Sequence, residues 1–258
     1  MPSYFLWCRF MNMPFITAQA QRLGRVWARY QPALFKLVKE RHLLLLAGSA
    51  VVLAVCGVVE LTGDVLEGDT QALDETVMQW LRHADGTPIG PAWMPMVAQD
   101  LTALGSHSVL TLIGALAAGL CLMARRLDVL AMLAFSGIGA TVINFALKAL
   151  FARPRPSIVA PLVDVHTYSY PSGHALMSFA MYLSFAAVTA ELAAGMRTRA
   201  YLVCAGLLIA GIVGMTRVYL GVHYPSDVLA GWAIGGAWAL LCWIVAVLVG
   251  ERRTRAAL

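Results

Sequence analysis

The sequence predicts an all-α fold: a polytopic membrane protein built as a six-transmembrane-helix bundle, with a short amphipathic helix in the first outer loop. Three observations carry this expectation. Of 258 residues, 60% are hydrophobic and 13% charged, with a mean hydropathy of +0.72, whereas an ordinary soluble domain holds roughly 25% charged residues. Six segments approach the length of about 20 apolar residues that a helix needs to cross a hydrocarbon core of about 30 Å. The Lys and Arg residues concentrate in alternate connections, as threading back and forth through a bilayer requires. This composition excludes a disordered chain and a disulfide-stapled secreted scaffold. Nucleic-acid binding is a poor reading of the net charge of +5, because charge in a membrane protein is sorted by side.

The elements follow in order. A basic segment, residues 1–41, precedes the first span, and its Phe5 to Phe15 stretch is broken by Arg9 and Asn12, unlike a cleavable signal peptide. The expected spans are Leu43–Leu61, Leu101–Met123, Val129–Leu147, Ala175–Ala194, Tyr201–Met215 and Val228–Gly250; the fifth is short. Together they make one domain, residues 42–250, followed by a tail, 251–258. The long first outer loop, Thr62 to Asp100, carries Leu73, Val77, Trp80 and Leu81 at helical spacing. This predicts an amphipathic helix lying on the membrane surface or packed as a cap on the bundle. Cys8, Cys56, Cys121, Cys204 and Cys242 are widely separated and read as buried thiols.

With the N-terminus inside, 14 of the 19 basic residues fall on the cytoplasmic side, leaving Arg82, Lys148, Arg153, Arg155 and Arg217 outside. Four of these five cluster in two places. In the first, Lys148 closes the third span and Arg153-Pro154-Arg155-Pro156 forces an extended turn, so cations project from irregular backbone. A snorkelling lysine with arginines on lipid phosphates would also explain this element taken alone. The second element is Pro171-Ser172-Gly173-His174, just before the fourth span. Ser172 suits an N-cap and Gly173 permits close backbone approach, so a helix N-terminus offers N–H groups to an anion, with His174 beside it. A plain capped helix with an interfacial histidine remains the alternative. The third element is Arg217, His223 and Asp227. Asp227 can cap the last helix, or accept the Nδ1 proton of a histidine four residues earlier and fix its tautomer.

All three elements fall on the outer side, so one region can gather three cations, two histidines, a carboxylate and a helix N-terminus. Cations and backbone donors match the equatorial oxygens of a phosphoryl group in transfer, and two histidines can serve as nucleophile and acid. No carboxylate cluster for Mg²⁺ and no zinc ligand set is evident, so no metal and no cofactor is expected.

Lys148-x6-Arg155-Pro156, Pro171-Ser172-Gly173-His174 and Arg217-x5-His223-x3-Asp227 resemble the three-part signature of the type 2 phosphatidic acid phosphatase (PAP2) superfamily of membrane lipid phosphatases. The motifs span Lys148 to Asp227, and the helix arrangement extends the likeness over Leu43 to Gly250. Thr216 stands where the family usually has Ser. The resemblance implies that His223 attacks phosphorus to form a phosphohistidine and that Asp227 supports its imidazole. It implies that His174 protonates the leaving group and then activates water, and that Lys148, Arg155, Arg217, Ser172 and Gly173 bind phosphate oxygens. Arg153, outside the pattern, is expected as a secondary contact. The expected partners are the bilayer and a lipid phosphate of the undecaprenyl diphosphate, phosphatidylglycerol phosphate or phosphatidic acid type, with no nucleic acid; oligomeric state stays open. Two other readings compete. A phosphotransferase would pass the phosphoryl group to a lipid or sugar hydroxyl, and a transporter would use His107 and Asn144 as a polar path. The ionisable cluster at one interface, away from the midplane where carriers bind substrate, disfavours the second.

Overall fold

The computed structural model describes residues 14–193 and 195–256, with side chains described from Arg41 to Gly250 except at 191, 192 and 194. The expected basic N-terminal side chains before Arg41 and those of the C-terminal tail therefore lie outside the described residues. The chain resolves into two compact units, residues 1–46 and 47–258. All the motif residues belong to the second.

Helices are the only regular elements among the described residues: α1 (Pro14–Glu67), α2 (Gln71–Trp80), α3 (Met94–Ala103), α4 (His107–Met123), α5 (Leu127–Phe151), α6 (Gly173–Leu192), α7 (Met196–Tyr219) and α8 (Pro225–Ala256). The backbone of α1 leaves helical geometry at Arg41, and Arg41–Glu67 is long and apolar enough to span a membrane. So are α5, α6, α7 and the Pro225–Gly250 part of α8. The protein is a multi-pass membrane protein.

Of the four cysteines among the described side chains only Cys242 is buried, and Cys56 and Cys204 are exposed, against the expectation of buried thiols. Three expectations about the spans also change. The second span, expected as one run from Leu101 to Met123, is two helices, α3 and α4, bent by 43°. Gly105 lies at the break, where a Cβ would sit 2.4 Å from Val213 Cγ1 and 3.1 Å from the His174 carbonyl oxygen. Ser106 then caps α4 by accepting from the Val109 N–H at 3.3 Å. Hydropathy averages over such a break because Gly and Ser are only mildly polar. The short fifth span is a full 24-residue helix, extended past Met215 to Tyr219. Its extra turn carries Arg217, which a hydropathy count treats as a terminator. The first connection between spans is also shorter, since α1 runs to Glu67 and α3 starts at Met94.

The centre of the bundle is α6, packed against α5, α7 and α8. Half of its membrane-spanning window is buried, against 6% for that of α1, so α6 forms the core and α1 offers most of its surface to lipid. Small residues permit the close approach that membrane helices need in place of hydrophobic drive. A Cβ on Gly231 would lie 2.7 Å from the Ser172 carbonyl oxygen, and one on Gly235 would lie 2.3 Å from that of Leu176. These contacts bring the start of α8 against the start of α6, where two of the three motifs meet.

Candidate active site

Helical periodicity delivers the charged residues to one end of the bundle. The buried stripe of α5 runs Leu133, Ser136, Ala140, Asn144 and Lys148, steps of three and four residues that keep one face inward. Its last member is the first motif cation. On α7 the stripe runs through Gly206, Ala210 and Val213 to Arg217. Each cation is thus the terminal step of an otherwise apolar or weakly polar inner face.

Lys148 is buried and its Nζ donates to the Tyr168 carbonyl oxygen. Its helix continues one turn further to Phe151 and ends at Ala152 in the left-handed region, φ 43°. The following Xaa-Pro pairs lead the chain across the site, as the sequence implied. Arg155 donates from Nε to the Thr167 carbonyl oxygen at 2.6 Å and from Nη1 to that of Val222. The same Nη1 lies 3.3 Å from His223 Nε2. Arg217, only 3% exposed, donates from Nη1 to Thr102 Oγ1 at 3.3 Å, while its Nε has no partner among the described residues.

Ser172 occupies the N-cap position of α6, but its side chain makes no capping bond. Its hydroxyl is buried and without a partner among the described residues, which corrects the expectation that it serves the helix. Its backbone N–H donates to the Asp227 carbonyl oxygen at 2.9 Å, joining the start of α6 to α8. Gly173 opens α6 against Asn144, where a Cβ would lie 2.9 Å from Asn144 Oδ1. The first N–H groups of a helix have no partner within it and present a positive dipole end. An unpartnered hydroxyl, an unpartnered guanidinium N–H and a helix N-terminus are groups that can donate to an oxyanion. His174, half-buried in the first turn of α6, lies within electrostatic reach of Arg217, His223, His107 and Arg155, so it is near both the second histidine and two of the cations. His107 itself is exposed and stacks on Phe145 at 5.8 Å, and the Asn144 Oδ1 has no partner among the described residues. Neither makes a helix-to-helix hydrogen bond there.

His223 is 2% exposed and sits in the turn that Gly221, at φ +76°, makes between α7 and α8. Its Nδ1 lies 3.4 Å from Asp227 Oδ2 and 3.4 Å from Ser169 Oγ. Burial pushes its pKa well below the usual imidazole range; Asp227 pulls the other way, and Arg155 and Arg217 add to the depression. A neutral ring with its proton on Nδ1, toward Asp227, leaves the Nε2 lone pair facing Arg155. Asp227, fully buried, takes both roles the sequence left open. Its Oδ2 accepts from the Tyr224 N–H at 2.9 Å, capping α8, and faces His223.

Four participants were not legible in the motifs. Ser169 donates its hydroxyl to Asp227 Oδ2, and Thr102 of α3 holds Arg217. Arg153 is no secondary contact: its Nη1 donates to Asp227 Oδ1 at 2.7 Å and its Nη2 to Asp74 Oδ2 at 3.1 Å. Asp74, from α2, was hidden among seven acidic residues of the first outer loop. Its available signal was position: Asp74 and Met78 are the buried residues of α2, while Leu73 and Trp80 are 66% and 72% exposed. The expected helix exists, with its acidic side chain turned inward and much of its apolar stripe outward.

A helical bundle of membrane-spanning length with cations, histidines and open donors gathered at one rim is the architecture of a membrane phosphoric ester hydrolase. The comparisons with known proteins agree with that class. The sequence model of the PAP2 superfamily matches residues 125–250. Phosphatidylglycerophosphatase B of Bacillus subtilis (strain 168) is 35% identical over 146 residues, covering 55% of this chain and 70% of the relative. The decaprenylphosphoryl-5-phosphoribose phosphatase of Mycobacterium tuberculosis (strain ATCC 25618 / H37Rv) is 35% identical over 148 residues, covering 55% of this chain and 75% of the relative. Among solved structures, a transmembrane PAP2-type phosphatidylglycerolphosphate phosphatase from Bacillus subtilis superposes with a TM-score of 0.68 at 25% identity, over 75% of this chain and 94% of that one. The chain belongs to the PAP2 superfamily.

Proposed function

We propose that this protein hydrolyses a phosphate monoester or diphosphate of a membrane lipid through a phosphohistidine on His223, without a metal ion. The observation that carries the reading is the double placement of the buried His223 ring, with Nδ1 3.4 Å from Asp227 and Nε2 3.3 Å from Arg155. Asp227 holds the ring so that the Nε2 lone pair attacks phosphorus. The P–Nε2 bond forms as the bond to the lipid oxygen breaks, and His174 gives its proton to that departing oxygen. His174 then takes a proton from water, which attacks phosphorus and displaces His223. Lys148, Arg155, Arg217, the Ser172 hydroxyl and the Gly173 backbone hold the phosphoryl oxygens as charge spreads over them. Those donors supply the charge stabilisation that a metal gives elsewhere. Among the described residues, no group of three His, Cys, Asp or Glu side chains is placed to hold a metal ion.

A lipid substrate fits an apolar groove of about 600 Å³ lined by Val77, Trp93, Val97, Met215, Val228 and Trp232. It also touches Thr216, which precedes Arg217 in the chain. The distribution of basic residues supports cytoplasmic termini and an active site on the extracytoplasmic face. Release of inorganic phosphate, measured for purified protein in detergent across undecaprenyl diphosphate, phosphatidylglycerol phosphate and phosphatidic acid with and without chelator, tests the reading. Turnover of at least one lipid that survives chelator is expected. An absolute Mg²⁺ requirement, or phosphoryl transfer to an alcohol in place of phosphate release, contradicts it.

A further inference from the structure

Among the described residues Arg153 is ion-paired with buried carboxylates, whereas the hydrogen bonds of the signature cations go to carbonyl, hydroxyl and imidazole groups. Its two terminal nitrogens reach both buried carboxylates, Asp227 at 2.7 Å and Asp74 at 3.1 Å, and Nη1 also donates to Ser226 Oγ at 2.8 Å. Its guanidinium lies 4.2 Å from the centre of the Tyr224 ring. Asp74 completes a closed loop: its Oδ1 accepts from the Ser226 N–H at 2.9 Å and its Oδ2 from the Ser226 hydroxyl. The side chains of Asp74, Arg153 and Asp227 are 3%, 10% and 0% exposed. Such a guanidinium has little left for a substrate phosphate. A buried carboxylate is costly unless its charge and lone pairs are matched, and Arg153 supplies the only cation hydrogen-bonded to Asp227 Oδ1 among the described residues.

We propose that Asp74 and Arg153 are positioning residues for the reaction: Asp74 on α2 clamps Arg153, Arg153 clamps Asp227, and Asp227 thereby holds His223 in its attacking orientation. This rests on the phosphohistidine reading above. The bonds from Ser169 and the Tyr224 N–H fix only Oδ2 of Asp227. Without Arg153, Oδ1 is a buried carboxylate oxygen without its cation and the group is held at Oδ2 alone, which loosens the 3.4 Å contact from Oδ2 to Nδ1. Helix α2 is then part of the active-site machinery, although it contributes no atom that touches substrate. A misplacement of about 1 Å in a reacting group costs on the order of 10²-fold in rate, which sets the expected size of the effect.

The test compares the full-length chain with Arg153→Met, Arg153→Lys, Asp74→Asn and the double variant Asp74→Asn/Arg153→Met. Phosphatidic acid in mixed micelles is the probe, and rates are normalised to protein that elutes and melts as folded. Arg153→Met is expected to lower kcat about 10²-fold with KM within about twofold, since the chemical step and not binding is affected. Arg153→Lys should recover about tenfold of that loss, and Asp74→Asn should lower kcat about tenfold. The double variant should be no worse than Arg153→Met within about twofold, because one chain of contacts is broken only once. Wild-type kcat in Asp74→Asn, multiplied effects in the double variant, a raised KM with kcat intact, or no rescue by lysine each overturns the relay. Should Arg153→Met not fold, Arg153→Lys and Asp74→Asn carry the test alone through their kcat. His223→Ala separates the two readings: turnover retained there sinks the phosphohistidine, whereas turnover retained only in the Arg153 and Asp74 variants sinks the relay.

Discussion

The two sides of the site differ in how far the protein satisfies its own polar atoms. On the α8 side, Asp227 accepts from Arg153, Ser169 and Tyr224 and faces His223, and Asp74 accepts three further bonds. On the α6 and α7 side, the Ser172 hydroxyl and the Arg217 Nε are buried without partners among the described residues. Unpartnered buried donors are destabilising, and they persist where something other than the fold uses them. On the proposed mechanism, the comparison separates a side that holds the nucleophile still from a side open to an oxyanion. The same class of substitution should therefore trade activity against stability differently on the two sides.

The largest effects fall on the three groups proposed to carry the chemistry, His223 and Asp227 on the α8 side and His174 on α6. His223→Ala, His174→Ala and Asp227→Ala should each lower turnover at least about 10²-fold. Asp227→Ala should in addition lower thermal stability, because Arg153 loses one of its buried carboxylates; kinetics and melting on the same preparation check both. Next comes Arg217→Ala, expected to cost about 10²-fold in kcat/KM as the loss of a transition-state donor does. Ser172→Ala sharpens the contrast furthest. It should cost about tenfold in activity, one hydrogen bond, yet leave the melting temperature equal or raised, since it removes an unpartnered hydroxyl. Ser169→Ala, which deletes a donor to Asp227, should lower the melting temperature. If Ser172→Ala destabilises as much as Ser169→Ala does, the division between the two sides is wrong.

The smallest effect is on pH dependence. Burial holds the His223 pKa below its unfolded value of about 6.5. The unfolded chain therefore binds the proton first as pH falls, so the stability tied to the neutral ring is fully present above about 6.5 and declines below it. Melting of the wild type between pH 7 and 5 should fall more steeply than that of His223→Gln. Equal slopes would remove His223 from the acid response.

Much of this was readable from local pattern. Spans announce themselves through runs of apolar residues, and the motifs through charges placed where a positive-inside chain should have none. The order Lys148, Ser172, Arg217, His223 and Asp227 needed no three-dimensional information. The relay did, because Arg153 reaches Asp74 across 79 residues and Asp74 reaches Ser226 across 152. Thr102 and Arg217 meet across 115. Such pairings are set by how α2 and α3 pack on α7 and α8, and no spacing rule encodes that. The bend at Gly105 escaped for a related reason: the close approach found there is to the side chain of Val213 and the backbone of His174 on other helices. Arg153 was misjudged because nearness to a signature in sequence suggested a shared ligand, whereas its side chain turns to carboxylates.

The central claim is that the His223 ring receives the phosphoryl group. Rapid quenching of the purified protein with a ³²P-labelled lipid phosphate, followed by acid and alkali stability tests on the labelled chain, measures it most directly. The expected result is an acid-labile, alkali-stable label in the wild type that accumulates in His174→Ala and is absent from His223→Ala. Label of the same character in His223→Ala, or turnover there at the wild-type rate, would contradict it.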